Sequence, residues 1–219
     1  MTYPQTARTT SLRAPEKLAY DVAAANAVLD EAHVCHVGYV DDDGLPRVLP
    51  TVHARIGDVL YVHGSTGSRA MLGARQDGVD VCVTATLLDG LVYSRSWFHH
   101  SANYRSVIAH GKARLVSDPD EKWAALERIV DTFGEGRAAA SRAASAKELA
   151  QTAVLALPLS EVSVRVRAGG PKDDPEDIGL PYWAGHVPLA LTPGAPVVDE
   201  NVTVAAPAHL ARADTTVQA

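Results

Sequence analysis

The sequence has little of what several classes of protein require. Its 219 residues include two cysteines, Cys35 and Cys82, which are far apart and form no CxxC pattern. This excludes a small disulfide-stapled fold, and a reducing compartment is the simpler expectation. No apolar run reaches the roughly 18 residues of a membrane-spanning helix, and residues 1–17 contain no apolar stretch of a secretory signal. We therefore expect a cytoplasmic protein with no membrane partner.

Positive charge and aromatic side chains are also scarce. The chain has 20 Lys and Arg residues against 26 Asp and Glu residues, a net charge of -6, and 5% aromatic residues. A chain with this charge has no general attraction for nucleic acid or for an anionic membrane. Apolar residues, by contrast, make up 47% of the chain, which is typical of a globular protein with a substantial core.

Short turns, and not helices, connect most of the predicted strands. Runs of apolar and β-branched residues separated by Gly-Asp and Asp-Gly turns predict two hairpins and three further strands. The predicted strands are 34–40, 45–56, 59–64, 79–88, 91–98, 104–116 and 152–169. Because most consecutive strands join without a helix, we predict a mainly β fold, an antiparallel barrel or sandwich with flanking helices.

Helices are predicted at four places. Residues 15–32 have apolar side chains at helical spacing, and a short helix is predicted within 65–78. Asp118 and Ser145 are N-cap candidates for two more helices, each with a glutamate three residues later at the capping-box position. The helix after Asp118 is expected to bury its large apolar residues, which are Trp123, Leu126, Val130 and Phe133.

The two ends of the chain differ in composition from its centre. Residues 1–13 contain mostly small and polar residues and predict a flexible lead. Residues 197–219 form the end of a Pro-, Ala- and Val-rich segment, for which we predict disorder. A single folded domain is accordingly predicted over residues 14–196.

The turn HGSTGSR, residues 63–69, carries the most chemical information. Its glycines permit a tight turn and close approach of a ligand, and a helix that starts near Ser68 would offer backbone N–H groups to an anion. Ser65 and Thr66 add hydroxyl donors, and Arg69 has the geometry to hold phosphate oxygens. The same residues also suit an ordinary connection between a strand and a helix, and they match neither a Walker A loop nor GxGxxG.

Two further segments contain paired histidines. In HVCH, residues 33–36, alternation along a strand would place His36 on the face opposite His33 and Cys35, which argues against a convergent metal site. In WFHHSANYRS, residues 97–106, polar donors lie beside aromatic side chains, a mixture that suits a planar ligand with polar edges. These donors are His99, His100, Ser101, Asn103, Tyr104 and Arg105.

Three segments resemble the flavin-nucleotide-binding branch of the pyridoxamine 5'-phosphate oxidase-like family. They are CHVGYVDDDGLPRVLPTVHARIGDVLYVHGSTGSRAML (35–72), VCVTATLLDGLVYSRSWFHHSANYRSVIAHGKA (81–113) and LPYWAGHVPL (180–189). With the elements between them, the resemblance covers residues 12–190. It implies an antiparallel six-stranded split β-barrel with flanking helices. It further implies a homodimer that binds two FMN molecules at the subunit interface.

The same resemblance implies a set of cofactor-binding residues. The flavin ring would be lined by Val48, Leu49, Pro50 and Thr51. The phosphate end would be held by His63, Gly64, Ser65, Ser68 and Arg69. The segment 99–105 would approach the flavin from its own subunit or from the partner, adding His99, His100, Ser101, Asn103, Tyr104 and Arg105.

The resemblance favours an FMN-dependent oxidoreductase that acts on an unknown small molecule, since such chemistry belongs to the flavin. No catalytic residue and no metal site are singled out, and the C-terminal arginine-rich end of true pyridoxamine phosphate oxidases is not found. YVHGSTGSR is also similar to nitroimidazole-resistance reductases, with His63 at their distinctive histidine position. The alternatives are a haem-binding protein that uses His63, His99 or His100 as axial ligand, a non-enzymatic flavin binder and, as a lesser option, a deazaflavin cofactor.

Overall fold

A curled antiparallel sheet forms the centre of the molecule. The computed structural model describes residues 1–11, 17–74 and 77–207, and within these ranges the sheet has ten strands. They are β1 Leu18–Ala19, β2 Cys35–Val40, β3 Pro46–Thr51, β4 His53–Ile56, β5 Val59–Ser65, β6 Val79–Tyr93, β7 Ser101–Leu115, β8 Thr152–Pro158, β9 Glu161–Arg167 and β10 Gly185–Pro188. The helices are α1 Val22–Glu31, α2 Arg69–Gly73, α3 Pro119–Asp131 and α4 Ala146–Gln151.

The strand order β3-β2-β6-β7-β8-β5-β4 closes most of a barrel, with β9 and β10 pairing beside it on β7 and β6. The long strand β7 pairs with β9 as far as His110 and with β8 from Arg114 onward. Gly111 lies between these two pairings, and a Cβ atom there would come within 2.9 Å of Leu157 Cδ1. Glycine thus lets β7 pass close to β8. The strand order and the antiparallel pairings confirm the predicted split barrel with flanking helices.

Alternating side chains fill the interior of this barrel. Val37, Val83, Val107 and Leu155 are all buried in one cluster, to which α1 adds its apolar face. Because successive strand residues point to opposite sides, the residues between them face outward. No helix in the described part of the chain has the length and apolarity needed to span a lipid bilayer.

The predicted hairpin over 79–98 is wrong. Strand β6 runs without interruption from Val79 to Tyr93, and Asp89-Gly90 forms only a register shift against β7. A Cβ atom at Gly90 would lie 2.9 Å from the carbonyl oxygen of Val187 in β10. The glycine at this point therefore permits close approach of another strand, and it does not reverse the chain.

Three other element boundaries differ from the predictions. Helix α1 begins only at Val22, where Asp21 caps it by accepting from the Ala24 N–H at 2.8 Å, and Pro15 lies outside the described residues. The predicted strand 45–56 is divided into β3 and β4, which belong to different parts of the sheet. The predicted strand 152–169 is likewise divided, into β8 and β9, since the chain turns after Pro158.

Helix α3 has the predicted cap but a different buried face. Asp118 caps the helix, whereas the Glu121 carboxylate bonds Arg114 and Tyr61 and forms no capping box. Its buried residues are Ala125 and Ile129, while two of the predicted ones, Trp123 and Phe133, are 43% and 63% exposed. Ala125 packs with Tyr61 and Val154 of the sheet, where its small side chain allows the helix axis to approach closely. Helix α4 and its capping box, Ser145 with Glu148, are confirmed.

The first residues of the chain contact the barrel. Tyr3 is buried, and the side chains of Thr6 and Arg8 both bond the carboxylate of Glu161 in β9. At the other end, residues 208–219 of the predicted tail lie outside the described residues. The domain boundaries 14–196 and the disorder of 197–219 stay predictions.

A buried histidine makes folding stability depend on pH. His53 is 2% exposed, its Nε2–H donates to the Leu29 carbonyl at 2.9 Å, and burial lowers its pKa. When the pH falls below about 6.5, the ordinary pKa of histidine, His53 becomes protonated in the unfolded chain while it stays neutral in the folded protein. The contribution of neutral His53 to the free energy of unfolding is therefore fully present above about pH 6.5. It is lost as the pH falls from about 6.5 through the pKa of His53 in the folded protein.

We expect urea unfolding to show a larger loss of stability between about pH 7.5 and pH 5.5 in the wild type than in His53→Gln. The difference should not exceed about 1.4 kcal/mol per pH unit for this one group. His63 and His110, whose pKa values burial also lowers, are present in both proteins and cancel in the comparison. Equal losses in the two proteins would show that His53 is not responsible.

Candidate cofactor-binding site

A cavity of about 210 Å³ lies where β3, β5 and α2 meet. We call it the β3–β5 cavity. It brings together two stretches of sequence that were predicted to bind one ligand. The predicted residues that line it are Leu49, Pro50, Thr51, His63, Gly64 and Ser68.

Strand pairing brings these two stretches into position. β3 is the last strand on its side of the sheet, and its Leu49 pairs with Val37 of β2. β5 pairs with β8, where His63 lies opposite Val154. The turn after β5 is closed by the Ser68 N–H, which donates to the Ser65 carbonyl at 2.9 Å.

His63 is the polar group at this cavity whose bonding is incomplete. The imidazole is half-buried, and its buried Nδ1 atom has no hydrogen-bond partner in the part of the chain that the structure describes. Burial lowers the pKa of His63, so the neutral ring is the favoured form at neutral pH. A buried polar atom without a partner costs free energy, and a bound ligand that bonds to it would remove that cost.

Gly64 keeps part of the cavity open. A Cβ atom at this position would lie 3.0 Å from Met71 Cε and 3.7 Å from Ser68 Oγ. Any larger side chain would therefore occupy space between β5 and α2. These distances show that β5 packs closely against α2 at this glycine, whereas the approach of a ligand to it stays a prediction.

Arg69 lies outside the β3–β5 cavity. Its guanidinium is 2.8 Å from an Asp43 oxygen and 3.4 Å from an Asp41 oxygen, at a separate cavity of about 280 Å³. The predicted phosphate clamp is therefore occupied by carboxylates. Val48 and Ser65 are exposed residues that do not line the β3–β5 cavity.

The histidines of the 99–105 segment are bonded elsewhere. His99 Nε2 lies 3.0 Å from an Asp174 oxygen, and His100 Nδ1 lies 2.9 Å from the Ser96 carbonyl oxygen. Both imidazoles thus bond to groups near the turn at Trp97–His99, and neither bonds to a residue of the β3–β5 cavity.

The rest of the 99–105 segment also lies away from the β3–β5 cavity. Asn103 donates to the Gly169 carbonyl at 3.1 Å, and Ser101 is exposed. Val37, which lines the cavity, pairs with Val83 of β6. Tyr104 pairs with Leu88, which lies five residues further along β6. Within one chain, therefore, this segment does not join the residues of the β3–β5 cavity.

Five apolar residues of the cavity were missed by the sequence analysis. They are Val37, Val62, Ala70, Met71 and Leu155. Strand alternation predicts that such residues are buried in the core. Only the closed barrel shows that they also border a cavity. Their sequence pattern contains no signal that would separate them from ordinary core residues.

Residues 21–166 match the family model described as pyridoxamine 5'-phosphate oxidase. The chain is a member of the pyridoxamine 5'-phosphate oxidase-like family. No curated protein matches it. This assignment confirms the resemblance found in the sequence, and the family's split barrel agrees with the observed sheet.

Two solved structures share more than a third of their residues with this family member. The flavocytochrome Anf3 from Azotobacter vinelandii is 36% identical, covering 94% of this chain and 96% of that chain, with a TM-score of 0.87. A FAD- and heme-binding protein from Mycobacterium smegmatis is 37% identical, covering 87% of this chain and 93% of that chain, with a TM-score of 0.80.

A third structure shares the fold at lower identity. It is a putative 5-nitroimidazole antibiotic resistance protein from Bacteroides thetaiotaomicron, 23% identical, covering 68% of this chain and 86% of that chain, with a TM-score of 0.58. At this identity the similarity concerns the fold alone. It adds no support for a nitroimidazole-reductase activity.

Proposed function

We propose that this protein is a flavin-nucleotide-binding oxidoreductase whose flavin binds at the β3–β5 cavity. The observation that carries the proposal is the buried Nδ1 atom of His63, which has no hydrogen-bond partner among the described residues and lies at a cavity lined by Leu49, Pro50 and Thr51. These groups fit a flavin, which needs apolar contacts for its ring and a few polar partners at its edge. When bound, the flavin supplies hydride-transfer chemistry.

The residues of the chain would then have separate tasks. Leu49, Pro50 and Thr51 would pack against the ring and exclude water from one side. His63 would hydrogen-bond the cofactor through Nδ1, and the Ser68 hydroxyl would be a second polar partner. Arg69 is not part of this proposal, because Asp43 and Asp41 already bind its guanidinium.

We also propose that a second copy of the chain completes the site. A volume of about 210 Å³ lies below the roughly 300–1,000 Å³ of most ligand pockets. Beside the cavity, Val48 and Leu49 of β3 are 65% and 42% exposed, which leaves apolar surface for a partner subunit to cover. The 99–105 segment, distant within one chain, could reach the flavin only from that partner.

The identity of the nucleotide follows from what the purified protein releases. The sequence resemblance favours FMN, whereas the name of the M. smegmatis relative specifies FAD. Heat denaturation followed by mass spectrometry identifies the bound flavin. A purified protein that contains no flavin and takes up neither FMN nor FAD would contradict the proposal.

His63→Ala tests the role of the imidazole. We expect the dissociation constant of the flavin to rise about tenfold, the effect of losing a hydrogen bond worth about 1.4 kcal/mol. Flavin fluorescence quenching on titration measures it. His186→Ala, which changes an exposed histidine of β10, is the control. An unchanged affinity in His63→Ala would remove this residue from the site.

A second candidate function is that of a flavin- and haem-containing protein. It is favoured by the names of the two relatives at 36% and 37% identity, a flavocytochrome and a FAD- and heme-binding protein. Histidine is a common axial ligand of haem iron. Of the three histidines that the sequence indicated as ligands, His99 and His100 are bonded to Asp174 and Ser96, and His63 lines the proposed flavin site. A Soret band in the purified protein tests this candidate.

A further inference from the structure

A second and larger cavity lies on the other face of β2. It has a volume of about 570 Å³ and is bordered by the end of α1, by β2, β6 and β7, and by residues 189–191. We call it the β2–β6 cavity. Along β2, Val37 faces the β3–β5 cavity and His36 faces this one, as alternation along a strand requires.

Two histidines of the sequence motif HVCH line the β2–β6 cavity together. Alternation predicted that His33 and His36 would diverge, and this prediction is wrong. Strand β2 begins only at Cys35, and residue 33 lies in a bend before it, so both imidazoles reach the same cavity. Within the described ranges neither imidazole has a hydrogen-bond partner, and both residues are exposed.

The carboxylates at this cavity are already engaged. Arg105 Nη2 donates to Glu31 Oε1 and to Asp89 Oδ1, each at 2.8 Å, and Arg105 Nε donates to Asp89 Oδ2 at 3.0 Å. Hydrogen bonds from this guanidinium lower the pKa of Glu31 and of Asp89, so both stay ionised and paired. The groups left to coordinate a metal centre are therefore the two imidazoles.

The remaining wall of the cavity is apolar and open to water. It includes Val34, Leu88, Leu189 and Leu191, all of which are exposed. Leu191 is 87% exposed although it lies beside three other large apolar side chains. An apolar ligand that covered these residues would be stabilised by removing their surface from water.

We propose that the β2–β6 cavity binds a haem and that His36 is an axial ligand of its iron. This inference rests on the second candidate function, a protein that holds both flavin and haem. A bare zinc ion usually takes three or four protein ligands, which the two free imidazoles do not provide. A haem iron already has four porphyrin nitrogens and needs one or two axial ligands, and its planar apolar ring suits the leucine wall.

His36 is the better placed of the two imidazoles. Its backbone is paired on both sides, with Pro50 of β3 and with Thr84 of β6, whereas His33 lies outside the sheet. A ligand held by a paired strand has a defined position relative to the cavity. Pro50, the neighbour of His36, also lines the β3–β5 cavity, so the two cavities border the same strand pair.

Hemin titration of the full-length protein tests the assignment, with the Soret band and the electron paramagnetic resonance spectrum as readouts. We expect the wild type to bind one haem per chain with the spectrum of histidine-ligated iron. In His36→Ala the dissociation constant for hemin should rise at least about tenfold and that spectrum should be lost. Added imidazole should restore the spectrum in His36→Ala, because it can occupy the position of the deleted ring.

Matched variants test whether His36, and not His186 or His63, is the axial ligand. His186→Ala, and His63→Ala at the flavin site, should retain the histidine-ligated haem spectrum. Flavin content measured on the same His36→Ala sample should equal that of the wild type, which also shows that the variant folds. If His36→Ala is poorly folded, His36→Gln replaces it.

Two results would overturn the proposal, and they have different meanings. A wild-type haem spectrum in His36→Ala, or its loss in His63→Ala or His33→Ala alone, would place the axial ligand elsewhere. The flavin and haem function itself would then still stand. A wild-type protein that binds no haem at all would remove both the haem site and the second candidate function, while the flavin proposal is decided by its own titration.

Discussion

Gly64→Val is expected to weaken flavin binding strongly. The valine side chain would extend from a position where the Cβ atom alone already lies 3.0 Å from Met71 Cε, and it would fill space between β5 and α2. The backbone at Gly64 does not have a positive φ, so valine is compatible with the strand itself. We expect the dissociation constant to rise at least about 100-fold, equivalent to about 2.7 kcal/mol, in a flavin titration.

Gly67→Val is the matched control for this substitution. It introduces the same side chain in the same turn, but its nearest neighbour beyond the adjacent residues is Ser65 Oγ at 3.9 Å. Its flavin affinity should stay close to that of the wild type. Equal affinity in Gly64→Val and Gly67→Val would mean that the flavin does not occupy the β3–β5 cavity.

Gly78→Ala is expected to lower the free energy of unfolding by about 3 kcal/mol. Gly78 has a φ of 82°, in the left-handed region that disfavours side chains. A Cβ atom there would also lie 2.7 Å from the carbonyl oxygen of Ala113, which is held in β7 and pairs with Val79. Strand β6 begins at Val79, the next residue. A backbone shift that removed the close contact would therefore disturb the first pairing between β6 and β7.

Gly44→Ala separates the two causes of this loss. Gly44 has a φ of 75°, close to that of Gly78, but no atom lies within 4 Å of the Cβ position. Gly44→Ala should therefore lose only the backbone contribution of about 1–2 kcal/mol. Urea unfolding measures both. Equal losses would indicate that the Ala113 contact has no energetic importance.

Much of the fold could be predicted because it depends on local patterns. Alternation at 34–40 and 59–64 and the capping box at Ser145 each specify local structure within a few residues, and the structure confirms them. The errors arise where pairing with a strand distant in sequence determines the local structure, which the local sequence pattern cannot show. Asp89-Gly90 resembles a turn, but β10 pairs beside it and strand β6 continues without reversing.

The candidate site could be predicted only in part. Residues 49–51 were indicated together with His63, Gly64 and Ser68, and these residues line one cavity. Arg69 was grouped with them because its guanidinium suits phosphate oxygens, yet successive residues at the start of a helix point in different directions. Asp41 and Asp43, from the turn after β2, meet it on the other side.

The amino-acid order alone indicated an antiparallel barrel or sandwich through its periodicity, and its motifs indicated the family and, by resemblance, the split barrel. It could not show where side chains from separate strands converge, because convergence depends on how the sheet curls and where each strand begins. Two results came from folding in three dimensions: Leu49 and His63 line one cavity, and His33 and His36 line another.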